Sequence, residues 1–117
     1  MFIKTAFTKK GYLTFETASF FVIMHFVYII YSKTASKFYV GETPNIENRL
    51  KIHNDIALNT NYTKSGIPWE LFYSIKVADR IVAKKIETHI KKMKSKTYIK
   101  NLKQYPEITS KLINQYS

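Results

Sequence analysis

Arg49 and His53 stand four residues apart, a spacing that on a helix sets them one turn apart and facing the same ligand. A guanidinium there can grip a phosphate through two parallel hydrogen bonds, and an imidazole one turn on can relay a proton or donate to an oxygen. The same spacing also suits a solvated arginine beside a half-buried core histidine. Glu87 is the only carboxylate between Asp79 and Glu107, and eight lysines crowd residues 84 to 103 around it. A magnesium ion in a phosphate-processing site often takes only one or two protein carboxylates and fills its other positions with water and substrate oxygens, a role open to Glu87. An i,i+4 pair with Lys91, worth about 0.2–0.5 kcal/mol, is the plainer alternative.

These groups act together only if the fold gathers them, and the pattern from Phe26 reads as strand, turn, strand. Residues 26–32 are β-branched and aromatic, 33–36 are short and mostly polar, and 37–41 form a second run. Centring the turn on 33–36 pairs Tyr28 with a residue at or next to Tyr39. With period-two alternation, Tyr28 and Ile30 share a face with Lys37, Tyr39 and Gly41, while Val27, Ile29 and Tyr31 share the other with Phe38 and Val40. Thr43-Pro44 reads as a helix cap followed by proline at the first helical position, opening a short helix to about Asn54 with Ile46, Leu50 and His53 on one stripe. Residues 55–67 read as a polar loop, and Trp69 to Val77 as a third strand. Asp79 caps a helix to about Lys94 that buries Ala83, Ile86, Ile90 and Met93. Pro106 starts the last of one or two short helices.

The chain has 117 residues, 45% of them apolar and 15% aromatic, with 19 Lys and Arg against 8 Asp and Glu, a net charge of +11. That is one domain, with enough apolar surface to exclude a disordered basic tail and enough positive charge to make a polyanion the expected partner. The absence of cysteine excludes disulfide scaffolds, cysteine-ligated metals and thiol nucleophiles. The twelve-residue apolar run from Phe20 to Tyr31 falls short of the ~20 residues that span a bilayer. A secretory signal competes for that run because Lys9 and Lys10 precede it, but a small-residue cleavage site is missing and the cytoplasm is the expected location. Residues 1–23 read as an extension upstream of a domain start at Met24. Residues 24–117 keep a charge of 16 − 7 = +9. Lysines 84, 85, 91, 92, 94 and 96 wrap the exposed side of their helix. A nucleic acid lying there steepens the salt dependence of binding by about 0.9 log units per phosphate neutralised. A membrane surface ranks below it, because the apolar stripe is needed for packing.

Phe26-Val27-Tyr28, then Tyr39-Val40-Gly41, Arg49, His53 and Glu87 follow in an order and spacing that resemble the GIY-YIG nuclease family over residues 24–102. The small single-domain members are the nearest in form, similar to the amino-terminal catalytic domain of the bacterial excision-repair endonuclease without its further domains. The resemblance implies an α+β fold, a three-stranded antiparallel sheet flanked by helices, and a metal-dependent endonuclease hydrolysing DNA phosphodiester bonds. It implies catalytic roles for Tyr28, Tyr39, Arg49, His53 and Glu87, with Glu87 the protein ligand of Mg²⁺ or Mn²⁺ and Gly41 a structural turn where the chain approaches closely. Asn101 matches an asparagine found about a dozen residues after the glutamate. Lys37, Lys84, Lys91, Lys92 and Lys94 are expected on the nucleic acid with Asn101. Two positions depart from the pattern: Phe26 replaces the first motif's glycine, and Glu42 stands where some members carry lysine. RNA remains an alternative polyanion, a catalytically weak binding module an alternative function. Repair or processing of branched or damaged DNA is one setting among several, with targeting left to a partner protein or a homodimer.

Overall fold

The computed structural model describes residues 24–117, so the expected extension 1–23 lies outside the described residues. Strands β1 (His25–Ser32), β2 (Lys37–Thr43) and β3 (Trp69–Val77) form one antiparallel sheet in the order β2-β1-β3. Helix α1 (Ile46–His53) follows β2. Helices α2 (Arg80–Met93), α3 (Lys96–Gln104) and α4 (Pro106–Tyr116) follow β3. The fold is α+β, as the sequence led one to expect.

The four-residue turn closes Ser32 onto Lys37, so Tyr28 pairs with Gly41 and Tyr39 with Ile30. The turn falls at 33–36 as expected, but the partner of Tyr28 is Gly41 rather than a residue at or next to Tyr39. An even shift leaves side chains on the same face. Ser36 holds a positive φ of 54° and the Ser32 hydroxyl accepts the Ala35 N–H at 2.9 Å, which together set the turn.

Each face of the sheet has its own core. Val27, Ile29, Val40, Ile75 and Val77 pack against Ala83, Ile86 and Ile90 of α2, Ile99 and Leu102 of α3, and Leu112 of α4. On the opposite face Tyr28, Ile30 and Trp69 are buried, covered in part by Ile46 and Leu50 of α1 with Tyr39 and Ile67. The first cluster is a purely apolar core; the second is smaller and aromatic.

The cap of α1 is Asn45, whose side chain accepts the Asn48 N–H at 2.9 Å, rather than Thr43. Thr43 ends β2 and its hydroxyl accepts the Asn45 N–H at 3.2 Å, so Pro44 precedes the cap instead of opening the helix. Asp79 caps α2 as expected, accepting from Val82 at 2.9 Å. The helix stops where Lys94 turns left-handed at φ 47°, and Ser95 caps α3 at once. Met93 therefore sits in the last, turning residue pair and is 44% exposed, which corrects its expected burial.

Candidate active site

Tyr28 lies on the central strand, 2% exposed, with its ring across Gly41 of the neighbouring strand. A Cβ at Gly41 would stand 2.5 Å from the tyrosine oxygen, so only glycine admits the ring in this pose. Tyr28 Oη is 2.8 Å from His53 Nε2, in the last turn of α1. The Tyr39 ring packs edge-on to His53 at 5.2 Å between centroids and lies 6.3 Å from Tyr28. Two strands and one helix thus bring two phenols and an imidazole into one cluster.

Burial governs the protonation of this cluster. Desolvation raises the pKa of Tyr28 well above that of a free phenol, with Tyr39 adding to the rise and the Arg49 guanidinium opposing it without prevailing. Tyr39 is raised as well, chiefly by burial, with Lys91 pulling the other way. His53 is lowered, first by desolvation and then by the Arg49 charge. At neutral pH the cluster therefore holds a neutral tyrosine against a neutral histidine. Arg49 itself is exposed on α1, one turn before His53, where a phosphate can reach it.

Glu87 arrives from α2, on the far side of the sheet, near the edge strand β2. Glu87 is buried, its side chain 9% exposed. Glu87 Oε2 accepts from Lys91 Nζ at 2.7 Å, and the same ammonium stands 5.6 Å over the Tyr39 ring, which links the carboxylate to the tyrosine cluster. Burial alone would lower the Lys91 pKa, but the Glu87 hydrogen bond and charge outweigh it and raise it. Lys84 Nζ pairs with Oε1 at 3.4 Å, yet that buried oxygen accepts no hydrogen bond. Among the described residues no three His, Cys, Asp or Glu side chains converge as a metal cage. A hard divalent ion that keeps most of its waters and takes one carboxylate fits this donor set, through the oxygen left without a hydrogen bond.

The basic residues divide between two surfaces. Lys91 and Lys94 line a cavity of about 270 Å³ with Phe38, Tyr39, Tyr62 and Ile90, beside the cluster. Lys37 lines a smaller one of about 150 Å³ with Tyr39, Tyr62, Thr63 and Trp69. Lys92 turns instead into a hollow with Lys85, His89, Met93 and Tyr116, which shares no residue with the tyrosine pair. Lys84 borders that hollow while reaching Glu87, so only Lys92 of the expected lysines is directed away. Asn101 is half-buried on α3, and among the described residues its side chain makes no hydrogen bond to Tyr28, Tyr39, His53 or Glu87. Glu42, paired across from Val27, faces away from Tyr28 and contacts His25 at 3.1 Å and Arg80 at 3.4 Å.

The loop expected to be merely polar contributes three further residues. Thr63 Oγ1 is 3.0 Å from His53 Nδ1, and Asn59 Nδ2 donates both to the His53 carbonyl at 2.8 Å and to Thr63 Oγ1 at 2.9 Å. Asn61 caps the short 3-10 helix Tyr62–Gly66, accepting from the Thr63 N–H at 2.8 Å. Trp69, whose ring packs on Gly66, donates from Nε1 to the Thr63 carbonyl at 2.8 Å and ties the loop to β3. The visible signal is the stretch Asn59-Thr60-Asn61-Tyr62-Thr63, four short polar side chains of which Asn59, Asn61 and Thr63 are suited to capping a tight turn.

Residues 24–102 match the family described as the GIY-YIG catalytic domain. A UPF0213 protein of Bacillus licheniformis is 35% identical over 72 residues, 62% of this chain and 72% of that protein. A UPF0213 protein of Syntrophus aciditrophicus is 36% identical over 83 residues, 71% of this chain and 94% of that protein. No solved structure matches significantly. Among the described residues no helix is long and apolar enough to cross a membrane.

Proposed function

The chain belongs to the GIY-YIG catalytic-domain family, and from that premise we propose that it is a metal-dependent endonuclease that hydrolyses phosphodiester bonds in DNA. The observation that carries this is the buried 2.8 Å hydrogen bond between Tyr28 and His53, set beside Tyr39 and within the field of Arg49. A phenol whose pKa is raised by burial is a poor preformed phenolate, so Tyr28 acts by passing its proton on. As an attacking water gives its proton to Tyr28 Oη, the tyrosine proton moves to His53 Nε2, which is neutral because burial lowers its pKa. Tyr39 orients the water or the phosphate. Arg49 braces the phosphate from the exposed side of α1, and Lys91 and Lys94 hold flanking phosphates. Glu87 would hold a divalent ion, Mg²⁺ or Mn²⁺, which would supply positive charge to offset the negative charge that develops on the phosphate during cleavage.

A second function, nucleic-acid binding with little catalysis, is favoured by one observation: Lys91 and Lys84 both pair with Glu87 and offset its charge. Nicking of supercoiled plasmid and cleavage of branched DNA with Mg²⁺ or Mn²⁺ separate the two. Metal-dependent cleavage by the wild type, lost in both Glu87→Ala and Tyr28→Phe while DNA binding persists, is the expected result. Equal traces of product from all three proteins would leave only the binding module.

A further inference from the structure

A neutral imidazole has two nitrogens and one proton, and which nitrogen holds it decides whether His53 can accept from Tyr28. The loop fixes the answer through groups whose roles are not negotiable. A backbone N–H can only donate, so the Asn61 atom that accepts from the Thr63 N–H at 2.8 Å is its oxygen. A backbone carbonyl can only accept, so the Asn59 atom at 2.8 Å from the His53 carbonyl is its nitrogen. Its oxygen takes the Asn61 N–H at 3.0 Å. Thr63 has a single hydroxyl proton, and it goes to Asn61 Oδ1.

With that proton committed and Asn59 Nδ2 donating to it at 2.9 Å, Thr63 Oγ1 faces His53 Nδ1 at 3.0 Å with a lone pair only. The contact is a hydrogen bond only if Nδ1 carries the imidazole proton. Nε2 is then bare, and Tyr28 must be the donor across 2.8 Å. The opposite tautomer would set the Nδ1 lone pair against an oxygen with no proton to give. Thr63, His53 and Asn59 are 1%, 2% and 3% exposed, so water is poorly placed to relieve that clash.

The geometry points to Asn59, Asn61 and Thr63 as positioning residues that hold His53 as its Nδ1–H tautomer and aim its one proton acceptor at the Tyr28 hydroxyl. None of the three touches the phosphate; they act through His53. This deepens the endonuclease function proposed above and rests on it for its catalytic consequence, whereas the tautomer is measurable without any substrate.

Long-range ¹H–¹⁵N spectra of the labelled full chain above pH 7 read the tautomer directly. Wild type should show a protonated, pyrrole-type Nδ1 and a bare, pyridine-type Nε2 at His53. Thr63→Val keeps the shape but removes the acceptor, and Asn61→Ala, at an exposed position, frees the Thr63 proton to donate to Nδ1. Each should reduce the Nδ1–H population and lower kcat for plasmid cleavage about 10- to 100-fold, the usual range for loss of an orienting partner, with KM unchanged. Thr63→Ser should restore both. A wild-type His53 protonated on Nε2 would overturn the assignment, as would Thr63→Val and Asn61→Ala proteins that keep the wild-type tautomer and kcat. If Thr63→Val does not fold, Asn61→Ala decides alone. Wild type that shows the Nδ1–H form yet cleaves nothing removes the nuclease function, while the tautomer assignment stands.

Discussion

Among the described residues are two tyrosine–histidine hydrogen bonds of the same length, Tyr28 to His53 and Tyr116 to His89, each 2.8 Å. The first joins the central strand to α1, is fully buried, and has its second ring nitrogen engaged by Thr63. The second joins α4 to α2 near the surface, where His89 also packs against Tyr98 with 6.1 Å between ring centroids. Beside the first stand Tyr39 and the charges of Arg49 and Glu87; beside the second, with Tyr98, lie lysines, Met93 and a threonine. A phenol against an imidazole is therefore no site in itself. It becomes one where burial fixes both protonation states and where charged groups on one exposed side can receive a phosphate.

The largest effect that tests this contrast is on turnover. Tyr28→Phe should lower metal-dependent DNA cleavage by roughly 10²- to 10⁴-fold, the usual contribution of a positioned proton-transfer group, whereas Tyr116→Phe should leave it unchanged. Comparable losses in the two variants would erase the distinction.

Next is Gly41→Ala, which forces the Tyr28 ring out of a position only 2.5 Å from the added methyl. Overpacking of this kind costs about 1–3 kcal/mol. Denaturant midpoints should fall accordingly, and cleavage should fall with them even at temperatures where the variant is folded.

The acid limb of the pH profile sharpens the comparison from the histidine side. Burial lowers the His53 pKa below its ordinary 6.5. Between 6.5 and that lower folded value the unfolded chain binds more protons, so stability is full above 6.5 and declines as pH falls through the window. Activity should decline on the same side, as protonation removes the acceptor from Nε2. The check is kcat/KM from pH 8 to 5: a profile flat through the whole range would show that His53 takes no proton.

The smallest effects concern the lysines and the second pair. Lys91→Ala should reduce the slope of log binding constant against log salt by about 1, and Lys92→Ala, which faces the other hollow, should leave it unaltered. Tyr116→Phe should cost only about 0.5–1.5 kcal/mol of stability, one ordinary hydrogen bond.

What could be foreseen from the residue order followed from periodicity. Parity placed Tyr28, Tyr39 and Gly41 on one face, and the i,i+4 rule set Arg49 above His53 and Glu87 beside Lys91. What escaped was decided by partners distant in sequence or by single backbone torsions. The turn lies where it was expected, at 33–36, and counting outward from it sets Tyr28 opposite Gly41, while the positive φ that closes it falls on a serine, Ser36, rather than on glycine or asparagine. Thr43 and Asn45 are both good caps, and nothing local says which of them opens the helix. Successive helical residues point about 100° apart, so a run of lysines gives the charge of a helix but only the neighbouring strands reveal that Lys91 meets Tyr39 and Lys92 does not. The polar loop hid its role most completely, since Asn59 and Thr63 acquire meaning only from the histidine that folds back onto them.

Trp69 opens the last strand of the sheet and pins the loop carbonyl of Thr63. The hairpin of β1 and β2 is local and closes early, within a four-residue turn, while pairing of β3 with β1 must first close a long stretch of chain against its entropy. A chain emerging from synthesis thus displays both tyrosines well before the tryptophan arrives to set the histidine. The proton path is therefore completed later than the hairpin that carries its two phenols, because the loop that orients His53 is tied down only when Trp69 joins the sheet.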